Sequence, residues 1–250
     1  MYRVLHAVVP PLLRAVWRPT VTGAENVPRT GGVLLASNHL SFADSIVIPS
    51  VTPRPVHFLA KSDYFTGTGL KGAAQRAWFE GMGMLPVDRD DPQAALGSLE
   101  VALEVLNKGE AFGIYPEGTR SPDGRLYKGK TGLARMALES GVKVIPVAMI
   151  GTEKVNPIGS RVWRPSKVTI RVGEPIDFSR FEGMGGNRFV ERAVTDEVMY
   201  KLMKLSGQEY VDIYAATLKK KAPAADASVA DVAPASDATT VTRLPDTRAS

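Results

Sequence analysis

The sequence predicts an α/β fold: a mostly parallel central sheet flanked by helices, preceded by an N-terminal amphipathic helical element. Three observations lead there. From Thr20 to about Leu218, short apolar runs bounded by Gly, Pro, Asn and Ser alternate with longer stretches of helical periodicity. The short runs are apolar throughout rather than alternating, as strands buried on both faces must be. And 250 residues, 44% hydrophobic and 23% charged, suit one domain with appendages and are too apolar for global disorder.

Taken in order, the chain opens with Leu5, Val8, Val9, Leu12, Leu13, Val16 and Trp17 at the spacing of one helical stripe, with Arg3, Arg14 and Arg18 off it. Pro10-Pro11 must kink or restart this helix. Residues 1–19 are therefore read as an amphipathic helix. It either lies in a bilayer interface with its arginines near lipid phosphates or packs on the domain. It lacks the uninterrupted apolar core and small-residue cleavage site of a signal peptide, and no run of apolar residues is long enough to span a bilayer.

Strands are expected over 31–38, 56–60, 83–87, 111–115, 144–150 and 167–173. Helices are expected over 43–51, 68–79, 92–107, 129–140 and 187–205, with a further one after Gly207. Within 92–107, Leu96, Leu99, Leu103 and Leu106 form the expected inward stripe. Residues 20–221 make up the domain. The stretch 222–250 is built from Ala, Pro, Asp, Ser and Thr, too few large apolar residues to offset its ordering entropy, and is read as a disordered tail. Its four aspartates outnumber its two arginines, so the body is more basic than the overall charge of +5. A basic body favours anionic partners. No aromatic-basic interleaving or nucleic-acid motif accompanies it, so nucleic acid is not an expected partner.

The absence of cysteine excludes a disulfide scaffold, a thiol nucleophile and a thiolate metal site, and three histidines (His6, His39, His57) argue against a multi-histidine metal centre. Chemistry concentrates in two blocks, each directly after an expected strand, where ligands bind in open α/β sheets. In Asn38-His39-Leu40-Ser41-Phe42-Ala43-Asp44, a spacing of five does not place His39 and Asp44 on one helical face. A strand-to-helix turn can fold the imidazole back onto Asp44, leaving its other nitrogen as a general base. The plainer alternative has Asp44 capping the helix and His39 at the surface. In Tyr115-Pro116-Glu117-Gly118-Thr119-Arg120-Ser121, Gly118 permits close backbone approach, Thr119 offers a hydroxyl and Arg120 a bidentate grip on phosphate. Glu117 anchors Arg120 or the loop, or the block is a turn with a surface ion pair.

Taken together, NHxxxxD followed by PEGTRS closely resembles the glycerolipid acyltransferase family, whose best-known members are the 1-acyl-glycerol-3-phosphate (lysophosphatidate) acyltransferases. Gly83–Arg89 and Val144–Ala148 resemble two further family blocks, and Phe58-Leu59-Ala60-Lys61 a family segment, all in the family's order between Thr20 and Gly173. Tyr115 stands where phenylalanine is commoner.

The resemblance implies that His39 is the base and Asp44 its orienting partner. It implies that the acceptor phosphate is held by Lys61, Arg89 and Arg120 and lined by Glu117, Gly118 and Thr119. Lys128 or Lys130 is read as an added phosphate cation, the sequence leaving open which.

Direct transfer without an acyl-enzyme follows from the absence of cysteine and of a G-x-S-x-G elbow. Backbone N–H groups around the helix after His39 are expected to serve the oxyanion. The donor would be acyl-CoA or acyl-carrier protein and the acceptor lysophosphatidate, with no metal or other cofactor. The location would be peripheral, on the cytoplasmic face of a membrane. Another acceptor, such as glycerol-3-phosphate or a different lysophospholipid, and a non-catalytic protein binding anionic lipid are the competing readings.

Overall fold

A computed structural model of the chain describes residues 15, 17–87, 94–160 and 162–221. The expected N-terminal helix, with His6, falls almost wholly outside the described residues. So do Arg89 and the expected tail.

Seven strands form the main sheet: β1 (Thr20–Thr22), β2 (Val33–Ser37), β3 (Val56–Lys61), β4 (Met84–Val87), β5 (Ala111–Ile114), β7 (Lys143–Ile150) and β8 (Thr169–Val172), in the order β1-β8-β7-β2-β5-β3-β4. Every neighbouring pair is parallel except β7 and β8. The expected mostly parallel α/β sheet is the one that forms. β6 (Leu126–Tyr127) pairs outside it with β9 (Tyr210–Val211).

The apolar strands are buried on both faces because successive side chains go to opposite sides. Leu34, Ala36, Phe112 and Val144 face one core with α3 (Ala94–Asn107), α4 (Gly132–Ser140) and α6 (Arg188–Ser206). Val33, Leu35, Ile145, Val147 and Met149 face the other core, with Val47, Ile48 and Val51 of α1 (Asp44–Val51). The remaining helices are α2 (Gly69–Gly81), α5 (Thr152–Val155) and α7 (Ala215–Lys221).

Two local expectations are corrected. Leu96, in the first turn of α3, is exposed, and the inward face is Leu99, Ala102, Val105 and Leu106. The helix expected from 129 starts at Gly132, because the preceding residues are committed elsewhere: the Lys130 N–H donates to the Pro116 carbonyl, and Gly129 lies against Met199 and Thr195 of α6. After Gly207 the chain first pairs as β9 before α7 begins.

The strand order places β2 at the centre. The chain leaves β2 for β3 and β4 on one side, returns to β5 between β2 and β3, and then crosses to β7 on the other side. Such a reversal opens a crevice at the carboxyl ends of the strands, and both sequence blocks end there.

Candidate active site

The site begins where β2 stops. Asn38 is fully buried, and its side chain continues the β2–β7 ladder. Nδ2 donates to the Met149 carbonyl at 2.9 Å, and Oδ1 accepts from the Met149 N–H at 2.7 Å. A further bond from Nδ2 to Gln208 Oε1 spans 2.8 Å. This anchoring fixes the point from which the next residue departs, a part the sequence reading did not assign to Asn38.

His39 turns back over the start of α1. Its Nδ1 lies 3.0 Å from Asp44 Oδ2, the same oxygen that accepts the Leu40 and Ser41 N–H groups, each at 2.8 Å. The five-residue spacing works because residues 39–43 form a turn and the helix starts only at Asp44. The reading of Asp44 as a helix cap does not hold, because no side chain caps α1; Asp44 gathers the N–H groups of the turn before the helix and holds the imidazole. A carboxylate accepts, so the proton of the pair lies on Nδ1, and Nε2 keeps its lone pair.

The imidazole is also held from its face. The Tyr115 ring stacks on it at 3.8 Å between centroids, with 13° between planes, and the Tyr115 hydroxyl is 2.8 Å from Ser45 Oγ. Phe58 stacks behind Tyr115 at 5.4 Å. Gly113 makes room for Phe58: a Cβ there would sit 2.2 Å from that ring. Burial, with the nearby Asp44 charge second, pushes the Tyr115 phenol well above its usual range, so it stays a neutral hydrogen-bonding group.

The Tyr115–Ser121 loop wraps against this turn. Gly118 adopts φ 72°, which a side chain would strain, and its N–H closes a turn onto the Tyr115 carbonyl. The Ser121 N–H donates to the His39 carbonyl at 2.7 Å. Glu117 corrects an expectation. It is buried behind the cavity; its oxygens accept from the His39 N–H at 3.0 Å and the Tyr127 N–H at 2.9 Å. No bond joins it to Arg120, so it is a positioning residue that ties the two blocks together.

Burial raises the Glu117 carboxyl from 4.5 to about 7; the two N–H donors oppose the rise, and the Asp44 and Asp123 charges add to it. The native state therefore keeps a proton that the unfolded chain loses above about 4.5. That contribution to stability is complete below the lower value and is lost as pH rises through the upper one. Glu117→Gln cannot titrate. The unfolding free energy of the native chain minus that of this variant should be larger at about pH 5 than at about pH 8, read by urea denaturation. The opposite sign would mean that Glu117 is not protonated in the folded protein.

His39, Lys61, Gly118, Thr119 and Arg120 all line one cavity of about 540 Å³. Phe58, Tyr64, Met84 and Phe112 give it apolar lining, and the loop carrying Asn156, Gly159 and Ser160 lines it as well. Ser41 Oγ donates to the Asn156 carbonyl, which clips this loop to the His39 turn. The loop was missed from sequence because no motif marks it.

Lys61 faces the cavity with its ammonium 2.6 Å from Asp63. The structure separates the two lysines left open. Lys128 pairs with Asp212 at 2.9 Å, whereas Lys130 runs along Gly118, with Nζ 3.0 Å from where a Cβ would stand. Of the N–H groups at this turn, four are already bonded: Leu40 and Ser41 donate to Asp44, and Ala43 and Asp44 donate to Ser41. His57 lies apart, its ring between the Gly83 carbonyl and Glu110.

A histidine held by an aspartate thus opens into the same cavity as a Gly-Thr-Arg loop at the carboxyl edge of a parallel sheet. The profile of the Acyltransferase family matches residues 18–150, and the chain belongs to that family. Among curated proteins it is 32% identical over 166 residues to the chloroplastic 1-acyl-sn-glycerol-3-phosphate acyltransferase LPAT1 of Arabidopsis thaliana, covering 66% of this chain and 45% of that protein. It is 27% identical over 163 residues to the 1-acyl-sn-glycerol-3-phosphate acyltransferase of Bacillus subtilis, covering 64% of this chain and 75% of that protein. The chain thus spans about half the length of the plant relatives it matches. The crystal structure of the 1-acyl-sn-glycerophosphate (LPA) acyltransferase PlsC from Thermotoga maritima superposes with a TM-score of 0.59 at 26% identity, covering 80% of this chain and 79% of that one.

Proposed function

We propose that this protein transfers a fatty acyl group from an acyl thioester to the free hydroxyl of 1-acyl-glycerol-3-phosphate, giving phosphatidic acid. The observation that carries the reading is the shared cavity: the His39–Asp44 pair and the Gly118–Arg120 loop open into one space, whose apolar lining suits an acyl chain. The names of the relatives agree with it.

His39 Nε2 takes the proton of the acceptor hydroxyl as its oxygen attacks the thioester carbonyl. Asp44, on Nδ1, stabilises the imidazolium so formed. The tetrahedral intermediate collapses by expelling the thiolate, which takes up the proton, so the product ester and a free thiol leave and His39 is restored. The acceptor hydroxyl is itself the nucleophile, so transfer is direct within a ternary complex, and the steps balance without a metal or other cofactor. Arg120 grips the acceptor phosphate with Lys61 and Arg89, on the Gly118-Thr119 backbone, and Lys130 joins them. Holding the phosphate fixes the hydroxyl near Nε2, and this orientation is where much of the rate enhancement arises. The donor is acyl-CoA or acyl-carrier protein. The enzyme works as a peripheral protein on the cytoplasmic face of a membrane, where its lipid acceptor resides.

The test is transfer of a labelled acyl group against a panel of lysophosphatidate, glycerol-3-phosphate and other lysophospholipids, with each donor. Preference for glycerol-3-phosphate would move the reading to that acceptor, and no transfer to any of them would end it. Arg120→Ala should raise the acceptor KM by roughly 10–100-fold, the size of a lost charge-assisted contact, with the donor KM little changed. Lys130→Ala should shift the same constant in the same direction, and Lys128→Ala should not. An unchanged acceptor KM in Arg120→Ala would remove the phosphate grip.

A further inference from the structure

The outer face of α2 carries an apolar stripe. Leu70, Ala73, Ala74 and Ala77 recur at i, i+3, i+4 and i+7, with Trp78 at i+8, while Gly72 and Phe79 form the inward side. Leu70 is 93% exposed and Trp78 42%. Lys71 and Arg76, both exposed, stand on the same helix, with Glu80 near its end.

This face does not stand alone. From Phe79, on the inward side of α2, a run of neighbouring rings passes along the cavity lining to Trp163 and Trp17. Phe79 stacks on Tyr64 at 4.5 Å and meets Phe42 at 6.5 Å; Phe42 meets Trp163 at 6.3 Å, and Trp163 meets Trp17 at 5.6 Å. Phe42 and Tyr64 line the cavity itself. Val162 and Trp163 are exposed beside it, followed by the exposed Arg164 and Lys167. All three tryptophans of the chain, Trp17, Trp78 and Trp163, thus belong to this band or to the helix that carries it.

We propose that the outer face of α2 and the Val162-Trp163 tip are a membrane-docking surface that seats the cavity mouth on an anionic bilayer. Tryptophan favours the headgroup level, where one part of its ring is apolar and its N–H is polar. Leucine adds apolar burial, and the flanking cations meet anionic headgroups. A second copy of the chain is a poorer occupant, because Lys71, Arg76, Arg164 and Lys167 would meet their own charge across a symmetric contact. The docking places the aromatic rim at the level where an amphiphilic acceptor's headgroup lies, so its phosphate enters toward Arg120 while its tail leaves toward lipid. That last step rests on the acyltransferase reading above; the docking surface does not.

The experiment uses the full chain with Trp17→Phe and Trp163→Phe, so that Trp78 is the sole tryptophan, and vesicles of phosphatidylcholine with phosphatidylglycerol carrying brominated acyl chains. Trp78 fluorescence should be quenched on binding. Leu70→Asp, at a site with no packing to lose, should weaken partitioning to these vesicles about tenfold, the order expected for losing one leucine from an apolar contact. Lys71→Glu with Arg76→Glu should weaken it further, and more so at low salt. Vesicle binding with Trp78 unquenched and Leu70→Asp unaffected would overturn the proposal, as would no binding to these vesicles. A dimer in solution that Leu70→Asp dissociates would overturn it in favour of a contact between copies.

Leu70→Asp should retain full transfer to a short-chain lysophosphatidate that stays monomeric in water and lose it on vesicle-borne acceptor. Quenching as expected with no transfer to any acceptor would leave the docking surface standing and end the acyltransferase reading.

Discussion

His39→Ala should lower kcat by roughly 10²–10⁴-fold, the usual contribution of a positioned general base, with acceptor and donor binding and thermal stability nearly unchanged. The imidazole lines a cavity, so its removal leaves no apolar void in either core. The contacts that shape the turn belong to other atoms: the His39 N–H on Glu117, the His39 carbonyl on Ser121, and the Leu40 and Ser41 N–H groups on Asp44. All of them survive the substitution. Single-turnover transfer measured with binding of the acceptor separates the two effects. Turnover within a few-fold of the native chain would remove His39 from the proton transfer.

Asp44→Asn should cost about 10²-fold or more in kcat while the fold persists, because it removes charge without removing shape. Asp44 Oδ2 receives three donors and Oδ1, buried, has no hydrogen-bond partner among the described residues. An asparagine can therefore set its oxygen where the three N–H groups converge and its amide NH₂ in the unpartnered position. What is lost is the negative charge that stabilises the imidazolium during transfer.

Asp44→Ala differs in kind. It leaves the Leu40 and Ser41 N–H groups buried without their acceptor, at about 1–3 kcal/mol each, and should lower the unfolding free energy as well as kcat. Full activity in Asp44→Asn would reduce Asp44 to an anchor of the turn. Tyr115→Phe probes the other restraint on the ring: it keeps the stack and removes the bond to Ser45. A drop in kcat at constant KM would mark Tyr115 as a positioning residue.

Much of this architecture was legible before any coordinates. Continuous apolar runs such as VLLAS and VIPVAMI, short and bounded by turn residues, read as strands covered on both sides, and the helices between them carry their own periodicity. The two chemical blocks could be placed at strand ends for the same reason. Local sequence could not rank Lys128 against Lys130, two residues apart. Their separation follows from where β9 brings Asp212 and where the Pro116 carbonyl holds the Lys130 backbone.

The choice for Glu117 between Arg120 and the loop stayed open for a related cause. A glutamate beside an arginine reads as its ion partner, yet the loop turns the carboxylate inward, where buried N–H groups from two distant segments require an acceptor. The wall formed by Asn156, Gly159 and Ser160 left no signal, because a loop's position depends on what it packs against.

The amino-acid order alone determined the α/β class, the sequence of its elements and the residue types available for acyl transfer, since burial periodicity and side-chain chemistry are local properties. Only the tertiary structure decided that His39 meets Asp44 through a turn, that Tyr115 and Phe58 brace the ring, and that Glu117 couples the two blocks. Apart from the local His39–Asp44 pair, these are contacts between segments far apart in the chain, and they come into being only when the sheet sets its strands side by side.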